Sequence, residues 1–236
     1  MIPVMSMSKQ TPAPGRDPAP LPVLLSASVP DEIAGTPEAQ RVYDFVSAIV
    51  AALFDAGLHL VCGGHPTITP LVHRIADSRR DRRPIISLYQ LERFRAQAPP
   101  EASDAKVFER VHWVGIPELS LAKDLANLRD PMVRLAGAAI FVGGKTTGFM
   151  GDKPGIRDEF ERFRTYHATG PVYLVGGAGG ETARLIDTAA DTDQEKNGLV
   201  GEARDLLHRS HDAQLVTALI ARDLKQYRPS GEETDG

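Results

Sequence analysis

One cysteine, Cys62, in 236 residues excludes an intramolecular disulfide, and with no His/Cys cluster at ligand spacing beside it a zinc site is disfavoured. A lone thiol points to a reducing compartment. The chain has no run of about 18 apolar residues, which excludes an apolar transmembrane helix, and its N-terminus lacks the short apolar core of a secretory signal. A cytoplasmic location is the expectation. Excess charge is scarce too: 27 Lys and Arg stand against 31 Asp and Glu, a net charge of -4. Such a chain has no general attraction for anionic membranes or phosphate backbones, so no membrane partner is expected and a nucleic-acid partner is unlikely. The two best-known nucleotide motifs are missing. No glycine turn fits Gly-x-Gly-x-x-Gly, and Gly144-Lys145-Thr146 lacks the upstream glycine that a Walker loop needs.

What is present is ordinary globular composition, 42% hydrophobic and 25% charged, enough for one sizeable core. Residues 1–20 carry Pro12, Pro14, Pro18 and Pro20 among small polar residues and read as a disordered leader. Residues 229–236 are acidic and unpatterned and read as a disordered tail; the span 21–228 reads as a single domain. Pro22 to Ser26 is a short apolar run that suits a strand buried on both faces. After Thr36-Pro37, a cap followed by proline, Val42, Phe45, Val46, Ile49 and Leu53 recur at helical spacing until Gly57. The pattern repeats with Leu58 to Cys62 as strand, Gly63-Gly64 as turn and residues 67–77 as helix.

Further strands are predicted at Pro84–Leu88, Val111–Gly115, Ala138–Val142 and Val172–Val175. Leu121, Leu125, Leu128 and Met132 form a helical stripe that Pro131 is expected to kink or interrupt. Strands alternating with amphipathic helices predict an α/β fold: a doubly wound, mostly parallel Rossmann-like sheet with helices on both faces. Its ligands bind outside the carboxyl ends of the strands.

Two of those strand ends carry glycine pairs, Gly63-Gly64 and Gly143-Gly144. Glycine lets the chain turn sharply and lets a ligand approach backbone amides, and a following helix adds the positive end of its dipole, which favours phosphate. A third pair, Gly176-Gly177, is assigned instead to strand-to-helix packing. Lys145 and Thr146 lie within side-chain reach of whatever the second turn holds. In the segment Gly155 to Glu161, a helix starting near Gly155 places Ile156, Phe160 and Phe163 on its core stripe. Glu159 borders that stripe, whereas Asp158 and Glu161 are expected to point away. Glu159 is then either a simple helix N-terminal charge or a carboxylate facing the ligand.

Gly143-Gly144 followed by Gly155-Ile156-x-x-Glu159 resembles the Pro-Gly-Gly-x-Gly-Thr-x-x-Glu motif of the Lonely Guy (LOG) phosphoribohydrolases and, more broadly, the SLOG superfamily that joins LOG and DprA-type proteins to ligand-sensing domains of bacterial conflict systems. The resemblance runs from Leu21 to about Ile186, with Gly63-Gly64 matching the first turn and Arg129 lying where LOG enzymes place an active-site arginine. It implies a nucleotide or nucleotide-derived ligand held at Gly63, Gly64, Gly143, Gly144, Lys145, Thr146 and Gly155. In the LOG-type alternative, Glu159 and Arg129 act at an N-glycosidic bond and release a base. A DprA-like DNA-binding role fits the fold but not the net charge. The chain departs from the motif: Val142 replaces its proline, Ile156 its threonine, and about ten residues instead of one separate the glycine pair from Gly155. These changes favour a binding module, a sensor with a possible effector partner, over an enzyme. No cofactor or metal is called for. Leu206, Leu207, Leu215, Leu219 and Ile220 supply apolar surface for a homodimer or for covering the chain's own sheet. Cys62 is expected to be buried and inert, His65 to be exposed, and Arg79 to Arg83 to form a solvated basic cluster.

Overall fold

The computed structural model describes residues 19–30, 33–82, 84–98, 100–104, 106–116, 119–189 and 194–227. The expected leader, apart from its last two residues, and the expected tail lie outside them. Six strands form one sheet in the order β4-β3-β2-β1-β5-β6, and every neighbouring pair is parallel. In chain order these are β1 (Pro22–Ser28), β2 (His59–Gly63), β3 (Ile85–Leu91), β4 (Arg110–Val114), β5 (Ala138–Gly143) and β6 (Val172–Val175). The helices are α1 (Pro37–Asp55), α2 (Thr69–Asp77), α3 (Leu121–Leu135), α4 (Gly155–Tyr166), α5 (Gly180–Ala189), α6 (Glu202–Arg209) and α7 (Ala213–Gln226).

The first helix shows how the local signals act. The Thr36 hydroxyl accepts from the Ala39 amide at 3.4 Å, Pro37 supplies a helical φ, and Val42, Phe45, Val46, Ile49 and Leu53 are buried against the sheet. Two cores result, one on each face. On one side Phe45, Ile49, Leu207, Val216 and Ile220 from α1, α6 and α7 pack with Val23, Leu25 and Ile140. On the other, Met132, Val133, Phe160, Phe163 and Leu185 from α3, α4 and α5 pack with Leu24, Val61 and Phe141. Strand residues alternate between the two cores, which is why the runs read as continuously apolar.

Three expectations need adjusting. The third strand continues to Leu91, beyond the apolar run, because Gln90 and Leu91 still pair with Trp113 and Val114. Pro131 does not break α3. The helix runs unbroken through it; proline removes the donor that Asn127 would have received, but Leu128, Met132 and Val133 on the same stretch are buried in the core. Of the apolar residues expected to serve a dimer or to cover the chain's own sheet, Leu207 and Ile220 are buried in the chain's own core and Leu219 packs against it, while Leu215 stays 40% exposed.

The order of connections marks a candidate ligand position before any motif is considered. From β1 the chain winds one way through β2, β3 and β4, then returns to the other side of β1 for β5 and β6. The switch point lies between β1 and β5, at Ser26–Ser28 and Phe141–Gly143. The two glycine turns, at the ends of β2 and β5, flank the end of β1. Among the described residues no helix is long and apolar enough to cross a membrane.

Candidate functional site

At this switch point a chain of charges converges from α3 and α4. The Arg129 guanidinium donates from Nη1 to Asp158 Oδ2 at 2.9 Å and stands 3.3 Å from Glu159 Oε1 through Nε. The side chains of Arg129, Asp158 and Glu159 are only 11%, 11% and 14% exposed. The Ser26 hydroxyl, near the end of β1, hydrogen-bonds to Glu159. Behind this group Arg162 Nε donates to Asp158 Oδ1 at 3.0 Å, and Asp130 takes Arg134, Arg162 and the Tyr166 hydroxyl.

The structure thus brings together Glu159 and Arg129, the two residues the motif singles out. Asp158 departs from expectation. It is buried because α3 packs beside α4, so the helix face turned away from the sheet meets a second helix and its arginine instead of water. Glu161 does point outward and pairs with Lys153. Glycine explains the fit of Arg129: a Cβ at Gly155 would lie 2.9 Å from Nη2, and one at Gly151 3.4 Å from Nη1. Gly151, within the segment 145–154 that is longer than the motif allows, therefore lies beside Arg129.

Burial pushes the Glu159 carboxyl above the ordinary glutamate range, against the pull of Arg129 and Ser26 toward the ionised form. The folded protein then holds this proton more tightly than the unfolded chain does. The contribution to stability is present below the ordinary glutamate value, about 4.3, and is lost as pH rises through the raised folded value. Glu159→Gln is expected to remove that loss, so the variant gains on wild type in melting temperature as pH rises from 4 to 8. The carboxyl resonance of Glu159 should titrate late; titration at or below the ordinary range overturns the assignment.

The glycine pairs shape the crevice more through space than through their second amides. Gly64 N–H donates to Tyr89 O at 2.7 Å and Gly144 N–H to Ser28 O at 2.9 Å, so both already serve the backbone of the sheet. Gly143 and Gly144 have φ of +70° and +100°, which L side chains rarely adopt. A Cβ on Gly144 would meet Ile156 Cδ1 at 2.6 Å, and one on Gly143 the Ser28 carbonyl oxygen at 2.8 Å. Substituting either glycine therefore disturbs folding. Lys145 and Thr146 follow the second turn, half-buried. The third pair packs as expected: Cβ atoms at Gly176 and Gly177 would collide with the carbonyls of His208 and Ser210 at the end of α6.

Other features carry less chemistry. Cys62 is buried and its thiol is pushed up to about 12 by desolvation, so it is no nucleophile at neutral pH. His65 is half-buried, not exposed, with Nδ1 beside the Thr67 hydroxyl. Among the described residues no group of three His, Cys, Asp or Glu could hold a metal ion. A cleft of ≈740 Å3 between α1 and α7 is lined mainly by Ala48, Ala51, Ala52, Thr217, Ala218 and Ala221. Its carboxylates Asp44, Asp55 and Asp212 are exposed, so the desolvated, convergent charges lie at the switch point and not there.

A family model described as the SLOG cluster3 family matches residues 33–209, which takes in both glycine turns, Arg129 and Glu159. The X-ray structure of TM1055 superposes with a TM-score of 0.55 at 16% sequence identity, over 86% of this chain and 99% of that one. That likeness is one of fold. No curated protein sequence matches the chain.

Proposed function

The chain belongs to the SLOG cluster3 family, and from this membership we propose that it binds a nucleotide or nucleotide-derived ligand at the carboxyl ends of β1, β2 and β5 and holds it without turnover. The observation that carries this reading is the state of Arg129. Its guanidinium is taken up by two carboxylates, Asp158 and Glu159, in a largely desolvated cluster. A buried arginine paired in this way orders the wall of the site, and freeing it to meet a reacting bond would leave Glu159 without its cation, while Asp158 keeps Arg162. The glycine turns bring bare backbone to the carboxyl ends of β2 and β5, where ligands of such sheets bind. Such a module acts as a sensor, passing occupancy to an effector protein or to a second copy of the chain.

The test is calorimetry with AMP, NAD and ADP-ribose, paired with chromatography for free base after prolonged incubation. Saturable binding without released base is expected. Absence of binding to all three rejects the reading. A second reading, hydrolysis of an N-glycosidic bond, is favoured by Glu159: a carboxyl whose affinity for its proton burial raises, beside an arginine and a hydroxyl, is suited to general acid–base work. On that reading wild type releases base and Glu159→Gln loses about 10²-fold or more in turnover.

Self-association is the other part of the proposal. Leu215 is the member of the leucine set left exposed on α7, and light scattering at micromolar concentration is expected to give the mass of a dimer. A monomer mass, 25.6 kDa, rejects it.

A further inference from the structure

The second glycine turn has a cation beside it that the family motif does not assign. Arg157 lies in the first turn of α4 and donates from Nε to Glu181 Oε1 at 2.6 Å. Glu181 is 2% exposed on its side chain, Arg157 29%. Glu181 is held by its helix and by its backbone. It stands in the first turn of α5, where the helix dipole favours its charge. Its amide donates to the Gly144 carbonyl at 3.0 Å, and its Cβ lies 3.2 Å from where a Cβ on Gly144 would stand. Arg157 is thus tied through one edge of its guanidinium to the buried carboxylate of a residue whose backbone amide bonds the glycine turn. Among the described residues Nη1 and Nη2 make no hydrogen bond, and Glu181 is the sole ion-pair partner.

We infer that Arg157 is an anion-recognition residue: Glu181 holds its Nε edge, and the free Nη edge takes a phosphate of a ligand seated at Gly143-Gly144. The physical argument is one of cost. A guanidinium presents five donors in a rigid fork, and anchoring Nε fixes the direction of the others in advance, so little rotamer entropy is lost when an anion binds. The inference rests on the proposed ligand site and narrows its ligands to those that bring a phosphate or diphosphate to this turn. Arg129 is turned to carboxylates, so Arg157 carries the phosphate and Arg129 the wall.

Two measurements test it. In the wild-type protein, inorganic pyrophosphate is titrated while the Arg157 Nε–Hε resonance is followed, and a saturable shift is expected. Arg157→Gln is then compared with wild type for ADP-ribose and adenosine, with thermal unfolding alongside. ADP-ribose affinity is expected to fall at least about tenfold, the size of a lost charge-assisted contact, and adenosine affinity to stay unchanged. Arg157→Lys, which keeps the charge without the fork, should fall between. If ADP-ribose binds both proteins equally, the inference fails while the ligand-binding proposal stands. If pyrophosphate shifts Arg157 but neither ADP-ribose nor adenosine binds, the anion site stands and the nucleotide proposal fails. A resonance unmoved by pyrophosphate, with a variant altered only in melting temperature, makes Arg157 a helix tie and overturns the inference.

Discussion

Arg129→Ala is expected to lower the melting temperature by about 6–12 °C, equivalent to about 3 kcal/mol in a domain of this size, and to abolish ligand binding. Removing one partner of a desolvated ion cluster costs far more than the intact cluster contributes, because the charges left behind can neither pair nor hydrate. Asp158 keeps Arg162, 3.0 Å away, so the orphan is chiefly Glu159, whose remaining neighbour is the Ser26 hydroxyl. Glu159 should then take up a proton at still higher pH. Combining Arg129→Ala with Glu159→Gln is therefore expected to recover part of the lost stability at neutral pH but none of the binding. Calorimetric melts of both variants at pH 7 decide this. A single variant within about 2 °C of wild type would show that Arg129 carries no structural charge balance.

The second large effect is expected at a residue that touches no charge. Gly180 has a φ of +68°, and a Cβ there would lie 2.5 Å from the Gly144 carbonyl oxygen and 2.7 Å from the Gly143 carbonyl carbon. Backbone cannot swing aside as a flexible side chain can, so Gly180→Ala must part the loop after β6 from the glycine turn after β5. A loss of about 2–4 kcal/mol is expected, the sum of a left-handed alanine and an overpacked contact. The neighbouring residue supplies the control. Gly179 has a φ of +70° and a ψ of -153° but open space around its absent Cβ, so Gly179→Ala should pay only the backbone cost, about 1–3 kcal/mol. Equal losses in chemical denaturation would remove the close approach from the account. Because the Gly180 contact also seats Glu181, Gly180→Ala should weaken the pyrophosphate response of Arg157.

Much of this site was legible as a set of residues and little of it as a set of contacts. Glu159 could be singled out because helical periodicity fixes angles: with Ile156, Phe160 and Phe163 on the core, it borders the core stripe beside the sheet. The same reasoning misplaced Asp158, since periodicity on one helix knows the sheet it must cover but not the helix packed on its flank. Arg129 was placed through likeness to a motif, and its double ion pair needed α3 and α4 to be adjacent. Arg157 went unremarked because a charged residue in a first helical turn is ordinary, and its partner Glu181 lies 24 positions on.

The sequence alone determined what depends on neighbours a few residues apart: apolar runs that must be strands, capped stripes that must be helices, and glycines where the chain turns. From these the parallel, doubly wound sheet follows, because strands alternating with amphipathic helices bury their apolar surface in few other ways. Tertiary structure decided what depends on distance in space. The order β4-β3-β2-β1-β5-β6 puts the switch point between β1 and β5. That order sets Ser26 against Glu159, brings Gly151 beside Arg129, and lays Gly180 on Gly143 and Gly144. Desolvation is likewise a property of the assembled fold: a carboxyl is driven toward its neutral form by everything packed around it, and no spacing along the chain records that.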